Sequence, residues 1–364
     1  MNWLGDHDVA SLGQALHRDG FPASHAAKLL REFYRGAGEI DFVRLNVGPR
    51  VKHRIEALLR DRPGAVLAQT QSADGTLKLL VGFGDGRSVE SVLMPGYRAD
   101  RAAACVSSQV GCAMGCDFCA STRGGLERNL TAGEIVDQFL FLKREATKLG
   151  RRLVSLVFMG MGEPMHNLDN VIAAVRRIAD PDLGGLGWRQ VTVSTVGIVP
   201  GINRLADADL NINLALSLHA PDDATREGLV PANRRYAVAD VMAAARRFAE
   251  KTGRVVTIEY CLLADVNDSG AHAAALTRLM HGFRAHVNLI PYNPIGRAIS
   301  GTIYRRPSPE RVAAFLVILR QGGVVAHARD ARGGDVAAAC GQLRTPETAN
   351  AERPGGPTNL LRII

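Results

Sequence analysis

The sequence has no uncharged apolar run approaching the ~18 residues a membrane helix needs, and its first twenty residues, MNWLGDHDVASLGQALHRDG, place acidic residues early with no apolar stretch. No membrane span and no secretory leader are therefore expected, and the cytoplasm is the expected compartment. Cysteine is scarce and unevenly spread: the six stand at 105, 112, 116, 119, 261 and 340, three of them crowded between 112 and 119. Without a secretory signal, such crowding speaks against a disulfide framework and for metal binding. Lysine is scarce beside arginine. The formal charge of +8, from 44 Lys and Arg against 36 Asp and Glu, therefore rests on guanidinium groups, which suit phosphate and base contacts without establishing them.

With 364 residues and 46% hydrophobic content, the chain can bury one large core and a smaller second unit. From Thr131 the amphipathic stretch GEIVDQFLFLKREATKL leads into the strand-like run RLVSLVFMG. Further strand-like runs follow at 190–197, 211–220, 254–263 and 286–293, separated mostly by helical patterns such as LDNVIAAVRRIA and VADVMAAARRFAEK. With ACVSSQV (104–110) in front there are six β/α units. Continuous apolar strands alternating with helices predict an α/β fold whose parallel sheet curls into a partial (β/α)6 barrel, open because a closed one needs eight units. Residues 1–98 break this pattern, with helical segments followed by β-like AVLAQTQ, TLKLLVGFG and SVESVLMP, and are expected to form a small N-terminal α+β accessory domain. The core domain is expected over 99–344, and the Pro- and Gly-rich tail 345–364 is expected to be disordered.

The segment Cys112-Ala-Met-Gly-Cys116-Asp-Phe-Cys119 has C-x3-C-x2-C spacing just after the first barrel strand. Three thiolates this close can ligate three irons of a [4Fe–4S] cluster and leave the fourth open for a small molecule that must take an electron from it. A structural zinc site would offer paired cysteines and a fourth nearby ligand. Past the next strand, Met159-Gly160-Met161-Gly162-Glu163-Pro164 opens the backbone to a ligand, and Glu163 can accept from an ammonium group. Ser194, then Ser217, Leu218 and His219, and finally Asn293 end the next strands with hydrogen-bonding groups aimed at one mouth; singly each reads as a turn or a structural residue, together as one ligand site. Read alone, Cys105, Cys261 and Cys340 are small buried hydrophobes, and Glu90 is a solvent-facing strand residue.

The cysteine spacing, with an aromatic before the last cysteine, resembles the radical SAM signature. The runs CVSSQVGCAMGCDFCASTRGGLERNLTAGEI, GMGEP, VTVSTVGIVPGI, LALSLHAP, HVNLIPYNP and AACGQL resemble, in order, the RlmN branch of that superfamily over about residues 88–344. The resemblance implies an enzyme that methylates carbon 2 of adenine, at adenine 2503 of 23S rRNA and adenine 37 of tRNAs. It implies a [4Fe–4S] cluster on Cys112, Cys116 and Cys119, and S-adenosylmethionine (SAM), two per turnover, bound by Gly162, Glu163, Ser194, Ser217, Leu218, His219 and Asn293. By the same resemblance Cys340 is methylated by one SAM, a 5′-deoxyadenosyl radical from a second takes a hydrogen from that methyl group, and the carbon radical joins the base. Cys105 then releases the product as a Cys105–Cys340 disulfide, which a reductant resets, and Glu90 matches the family's proton acceptor. An external electron donor of the flavodoxin type and a monomeric state are expected.

An adenine undergoing this chemistry must leave its stack, and Arg98, Arg101, Arg123, Arg128, Arg297, Arg305, Arg306 and Arg332 are candidate RNA contacts, with the N-terminal helices as an RNA-binding module. Three alternatives stay open: methylation at carbon 8 with the same cysteines, a cluster-bearing RNA-binding protein without turnover, and a paralogue acting on another RNA. The last is suggested by ASTRGG and by the tail beyond Arg344, which depart from the family pattern.

Overall fold

A computed structural model describes residues 3–344. The expected disordered tail, 345–364, lies outside the described residues. Four helices come first, α1 (Val9–Arg18), α2 (His25–Arg35), α3 (Phe42–Leu45) and α4 (Pro49–Arg60). At the start of α1 the Asp8 carboxylate accepts from the Ser11 amide and the Ser11 side chain caps the Asp8 backbone in return. On α2, Ala26, Leu29, Leu30, Phe33 and Tyr34 form the buried stripe that the helical repeat dictates.

A meander of β1 (Gly64–Gln71), β2 (Leu77–Phe83) and β3 (Ser88–Pro95) follows, then β4 (Arg101–Cys105). The hairpin β5 (Gln109–Gly111) and β6 (Leu126–Asn129) brackets the cysteine loop. Helices and strands then alternate as α5 (Ala132–Lys148), β7 (Arg152–Phe158), α6 (Leu168–Ala179), β8 (Val191–Thr195), α7 (Val199–Asp207), β9 (Asn213–Ser217), α8 (Asp223–Leu229), α9 (Val238–Thr252), β10 (Val256–Leu262), α10 (Gly270–Met280), β11 (Ala285–Pro291), α11 (Pro309–Gln321) and β12 (Val325–Ala328). Thr131 and Glu134 close a capping box at the start of α5, where the sequence places a helix.

One ten-stranded sheet runs β1-β2-β3-β4-β7-β8-β9-β10-β11-β12. From β4 to β12 every pairing is parallel, which bears out an α/β fold with an open parallel barrel. The order differs from expectation at three points. The barrel has a seventh parallel strand, β12, whose four residues VAHA are mostly exposed at an edge and carry no apolar run. The first barrel strand is 101–105 instead of 104–110: its ladder ends at Cys105, and 109–111 turns away to pair with 126–129. The accessory strands join the same sheet, because β3 pairs antiparallel with β4, so the sheet runs through the boundary expected at residue 98.

Parallel strands bring all their carboxyl ends to one rim, and the loops that leave it build the site. The segment after β12 crosses back over the meander and is pinned there: Arg332 donates to the Pro95 carbonyl (2.6 Å), Gly333 N to Asp74 (2.8 Å), and the Asp335 carboxylate accepts from Ser72 Oγ (2.5 Å) and Ala73 N (3.1 Å).

Candidate active site

Between β5 and β6 the cysteine loop is folded by its own backbone. Gly111 turns it with a φ of 73°, where a side chain would strike the Gly125 carbonyl. Cys112 N donates to the same Gly125 carbonyl (2.8 Å), Gly115 N to Thr122 Oγ1 (2.8 Å) and Cys119 N to the Cys116 carbonyl (3.1 Å). Asp117 N donates to Leu229 O at the end of α8 (3.0 Å), and Ala120 N to Gly341 O beside Cys340 (2.7 Å). Cys112, Cys116 and Cys119 line one cavity of about 140 Å³, and all are free thiols.

Burial raises all three thiols, Cys112 to about 12. Burial thus opposes three thiolates here, and a metal bound to the sulfurs would displace their protons. Among the described residues no three His, Cys, Asp or Glu side chains converge on a single-ion site. Three thiols lining one cavity suit a cluster, in which each sulfur meets its own iron. A buried cation completes the fit. Arg226 is wholly buried and donates only to neutral oxygens: Nε to Leu218 O (2.9 Å), Nη1 to Asn233 Oδ1 (2.9 Å) and Tyr236 O (3.4 Å), Nη2 to Val196 O (2.5 Å) and Ser217 O (3.4 Å). Burial lowers it to about 10, leaving it charged, and Cys116 is the first group to oppose that lowering. Among the described residues no carboxylate bonds this guanidinium, and an anionic cluster held by Cys116 would match its charge.

Glu163 enters the same cavity from the loop after β7. Gly162, at φ 100°, has no room for a side chain: a Cβ would lie 2.6 Å from that of Gln109, whose Oε1 accepts from Glu163 N (2.7 Å). The Glu163 carboxylate accepts from Met165 N (3.0 Å) and Val196 N (2.9 Å), and burial lifts it to about 7. A cation in the cavity would favour its ionised form. Ser194, Ser217 and His219 line the cavity with it, and Ser194 Oγ donates to Phe158 O (2.6 Å). His219 sits at a positive φ of 61°, which turns its ring edge-on against Phe118 at 4.6 Å. Its Nδ1 accepts from Cys261 N (3.0 Å), and burial lowers it to about 3, so it is a neutral imidazole with the proton on Nε2.

Two of the expected cofactor residues lie elsewhere. Leu218 is wholly buried behind the cavity wall, its carbonyl taken by Arg226. Asn293 lines a second cavity, of about 490 Å³, and donates Nδ2 to the Cys340 carbonyl (3.2 Å). Cys105, from β4, and Cys340 line this second cavity together, and Cys340 lines the first as well. Burial pushes the Cys105 thiol up to about 12 and raises the Cys340 thiol as well, although residue 340 keeps exposed surface where the cavities meet.

Glu90 is buried and lines neither cavity, in contrast to the solvent-facing residue its strand suggests. Its bonds reach the segment that carries Cys340. Its Oε1 pairs with Lys78 Nζ (2.8 Å) and its Oε2 accepts from Arg344 N (2.9 Å), while Lys78 Nζ donates to Ala337 O (3.1 Å), so one ion pair clamps both ends of the Cys340 segment.

Of the candidate RNA arginines, Arg98, Arg101 and Arg332 line the second cavity. Arg128 does not reach it: Glu134 takes its guanidinium through two bonds of 2.8 Å and Asp85 through a third of 2.5 Å. Arg123 donates to the carbonyls of Ile295 and Arg297 (both 2.6 Å), Arg297 to Gly301 O (3.0 Å), and Arg305 pairs with Asp265 (2.8 Å). Sequence reasoning missed three groups here. Glu259 is buried in the first cavity wall, one oxygen accepting from Asn288 Nδ2 (3.1 Å) and the other without a donor among the described residues; its signal was a charge inside the apolar run RVVTIEYCLL. Arg329, after the unrecognised β12, and Tyr97, fully exposed, line the second cavity.

Comparison with known proteins agrees with this geometry. A radical SAM superfamily model matches residues 106–276. The chain is 56% identical, over 94% of its length and 96% of the other's, to a protein of Opitutus terrae named a probable dual-specificity RNA methyltransferase RlmN 1. It is 52% identical, over 74% of its length and 71% of the other's, to a Symbiobacterium thermophilum protein named a probable dual-specificity RNA methyltransferase RlmN. The crystal structure of a radical SAM methyltransferase from Sphaerobacter thermophilus superposes with a TM-score of 0.87 at 44% identity, covering 94% of this chain and 98% of that one.

Proposed function

Because the chain belongs to the RlmN family of radical SAM RNA methyltransferases, we propose that it works as a monomer and methylates carbon 2 of unstacked adenines in 23S rRNA and tRNA, at the positions named above, through Cys340 and Cys105. It is an enzyme that uses a [4Fe–4S] cluster and SAM, acts on RNA and needs an external reductant. Among the described residues no helix is long and apolar enough to cross a membrane. The observation that carries the proposal is the placement of Cys340, exposed where the three-thiol cavity meets the larger one that also holds Cys105.

Cys112, Cys116 and Cys119 would hold the cluster, and Glu163 would receive the ammonium of SAM while Ser194, Ser217 and the His219 Nε2–H contact its remaining polar groups. When bound, the cluster and SAM supply a one-electron cleavage that yields a 5′-deoxyadenosyl radical. The protein's own residues do the rest. Cys340 gives up its thiol proton and takes a methyl group on sulfur, the nucleophile that electron-poor carbon 2 cannot itself be. Burial holds the Cys340 thiol above its ordinary range, and the Arg329 charge beside it works against that rise. Asn293 and the Glu90–Lys78 clamp hold the sulfur between the cavities. Cys105, shielded in the wall, bonds to the Cys340 sulfur as the sulfur–carbon bond to the product breaks, the electron pair and a proton ending on the product's new methyl group, and a two-electron reductant restores the two thiols. The target adenine would enter the second cavity past Tyr97, Arg98 and Arg332, with α1–α4 serving as an RNA-binding module.

Anaerobically reconstituted protein, incubated with dithionite, SAM and a ribosomal RNA fragment, should give 2-methyladenosine on nuclease digestion and mass spectrometry. Finding 8-methyladenosine, or no methylated adenosine, would contradict the proposal.

A further inference from the structure

The reductant must reach the cluster from outside, and one of the segments packed over the cysteine loop is 295–306. Asp117, between Cys116 and Cys119, accepts from Ser300 N (2.8 Å), Ser300 Oγ (2.5 Å) and Tyr304 OH (2.7 Å). Arg123, four residues past Cys119, holds the carbonyls of Ile295 and Arg297. Tyr304 packs edge-on against Tyr292 (6.0 Å, 75°), and Tyr292 lines the cavity of the three thiols. Segment 295–306 is therefore bonded directly to the chain between the cluster cysteines, with two rings linking its outer surface to the cavity.

Ile299 and Ile303 stand 56% and 62% exposed on a turn closed by its own bonds, Ala298 N to Thr302 O (2.8 Å) and Gly301 N to Ala298 O (3.0 Å). Arg297 and Arg305 flank them, Arg305 paired with Asp265, and no Asp or Glu occurs between 295 and 306. We propose that 295–306 is the docking surface for the electron donor, a small acidic protein with a low-potential one-electron centre. The claim rests on the assignment of Cys112, Cys116 and Cys119 as cluster ligands. An apolar centre with an arginine rim is the composition of a protein interface, and the rim's sign complements an acidic carrier and steers its approach. RNA is the competing occupant, but unstacked bases call for exposed aromatic faces. The fully exposed Tyr97 is at the mouth of the other cavity, while Tyr304 is half-buried with its hydroxyl held by Asp117. The step balances simply: the donor is oxidised by one electron and the cluster reduced by one.

The test compares two reductants of the reconstituted full chain in stopped flow without oxygen: dithionite, which needs no docking, and a photoreduced acidic flavodoxin. In the Ile299→Glu/Ile303→Glu variant, flavodoxin-driven reduction should slow by roughly tenfold or more, as for loss of interface hot spots, while the dithionite-reduced paramagnetic signal and RNA affinity stay at wild-type values. Arg297→Glu should slow the same step at low salt, and the wild-type rate should fall steeply as salt rises. Unchanged flavodoxin rates overturn the proposal, and so does a loss of RNA affinity with the flavodoxin rate intact. A wild-type protein that shows no signal even with dithionite overturns the cluster assignment itself, and the docking claim with it.

Discussion

Cys340→Ala is expected to reduce formation of methylated adenine by more than about three orders of magnitude, the scale on which loss of a covalent nucleophile acts, and to leave the cluster intact. Both halves follow from position. Cys340 faces the cavity of the three thiols without belonging to the loop that would ligate iron, and that loop is folded mainly by bonds that do not involve the Cys340 side chain: Cys112 N to Gly125 O, Gly115 N to Thr122 Oγ1, Asp117 N to Leu229 O. Alanine removes one exposed sulfur. The Glu90–Lys78 clamp and the bond from Ala120 N to Gly341 O need only the backbone around position 340 and should persist. The visible spectrum and iron content of the variant, read beside the mass spectrum of its RNA, check the prediction. An alanine variant that still methylates would place the reactive sulfur elsewhere.

Cys116→Ser should abolish the cluster and all activity. Cys116 is the most buried of the three, packed with Phe118, Leu229, Val230, Cys261 and Tyr292 beside the cavity, and burial raises its thiol well above the ordinary range. A serine hydroxyl there is far less able to ionise onto iron, and no other cysteine stands in the loop to replace it. Arg226 would then lose the cluster's charge and keep only the more distant Asp223 to oppose its own, so the variant should also unfold at lower urea than the reconstituted wild type, since breaking a buried charge pairing costs about 3–5 kcal/mol. Iron analysis and urea midpoints, with and without reconstitution, test this; a serine variant that holds four irons per chain would refute the ligand assignment.

How much of this was legible in the sequence follows from how local each feature is. The cysteine loop reads directly, because three sulfurs on one cluster must be near one another in the chain. The barrel strands read as continuous apolar runs because helices or other strands cover both faces. β12 did not, since a four-residue edge strand with mostly exposed side chains has no such run to show. Glu90 misled for the opposite reason: β3 is buried along six of its eight residues, so the alternation that marks an outward position is missing, and its partners Lys78 and Arg344 come from a neighbouring strand and from the far end of the chain. The meeting of Cys105 and Cys340 was reached only through family resemblance, because only the fold brings two such distant residues to one cavity. Leu218 and Asn293 show the limit of the strand-end rule: β9 presents Ser217 and His219 to the first cavity and turns Leu218 away between them, and β11 delivers Asn293 to the second.

The central claim is that Cys105 releases an RNA joined to Cys340, and the Cys105→Ala variant tests it most directly. Incubated without oxygen with dithionite, SAM and a substrate RNA fragment, then denatured and digested, it should yield a peptide containing Cys340 that carries an adenosine through one carbon. Free methylated RNA formed at the wild-type rate, with Cys340 unmodified, would contradict the account.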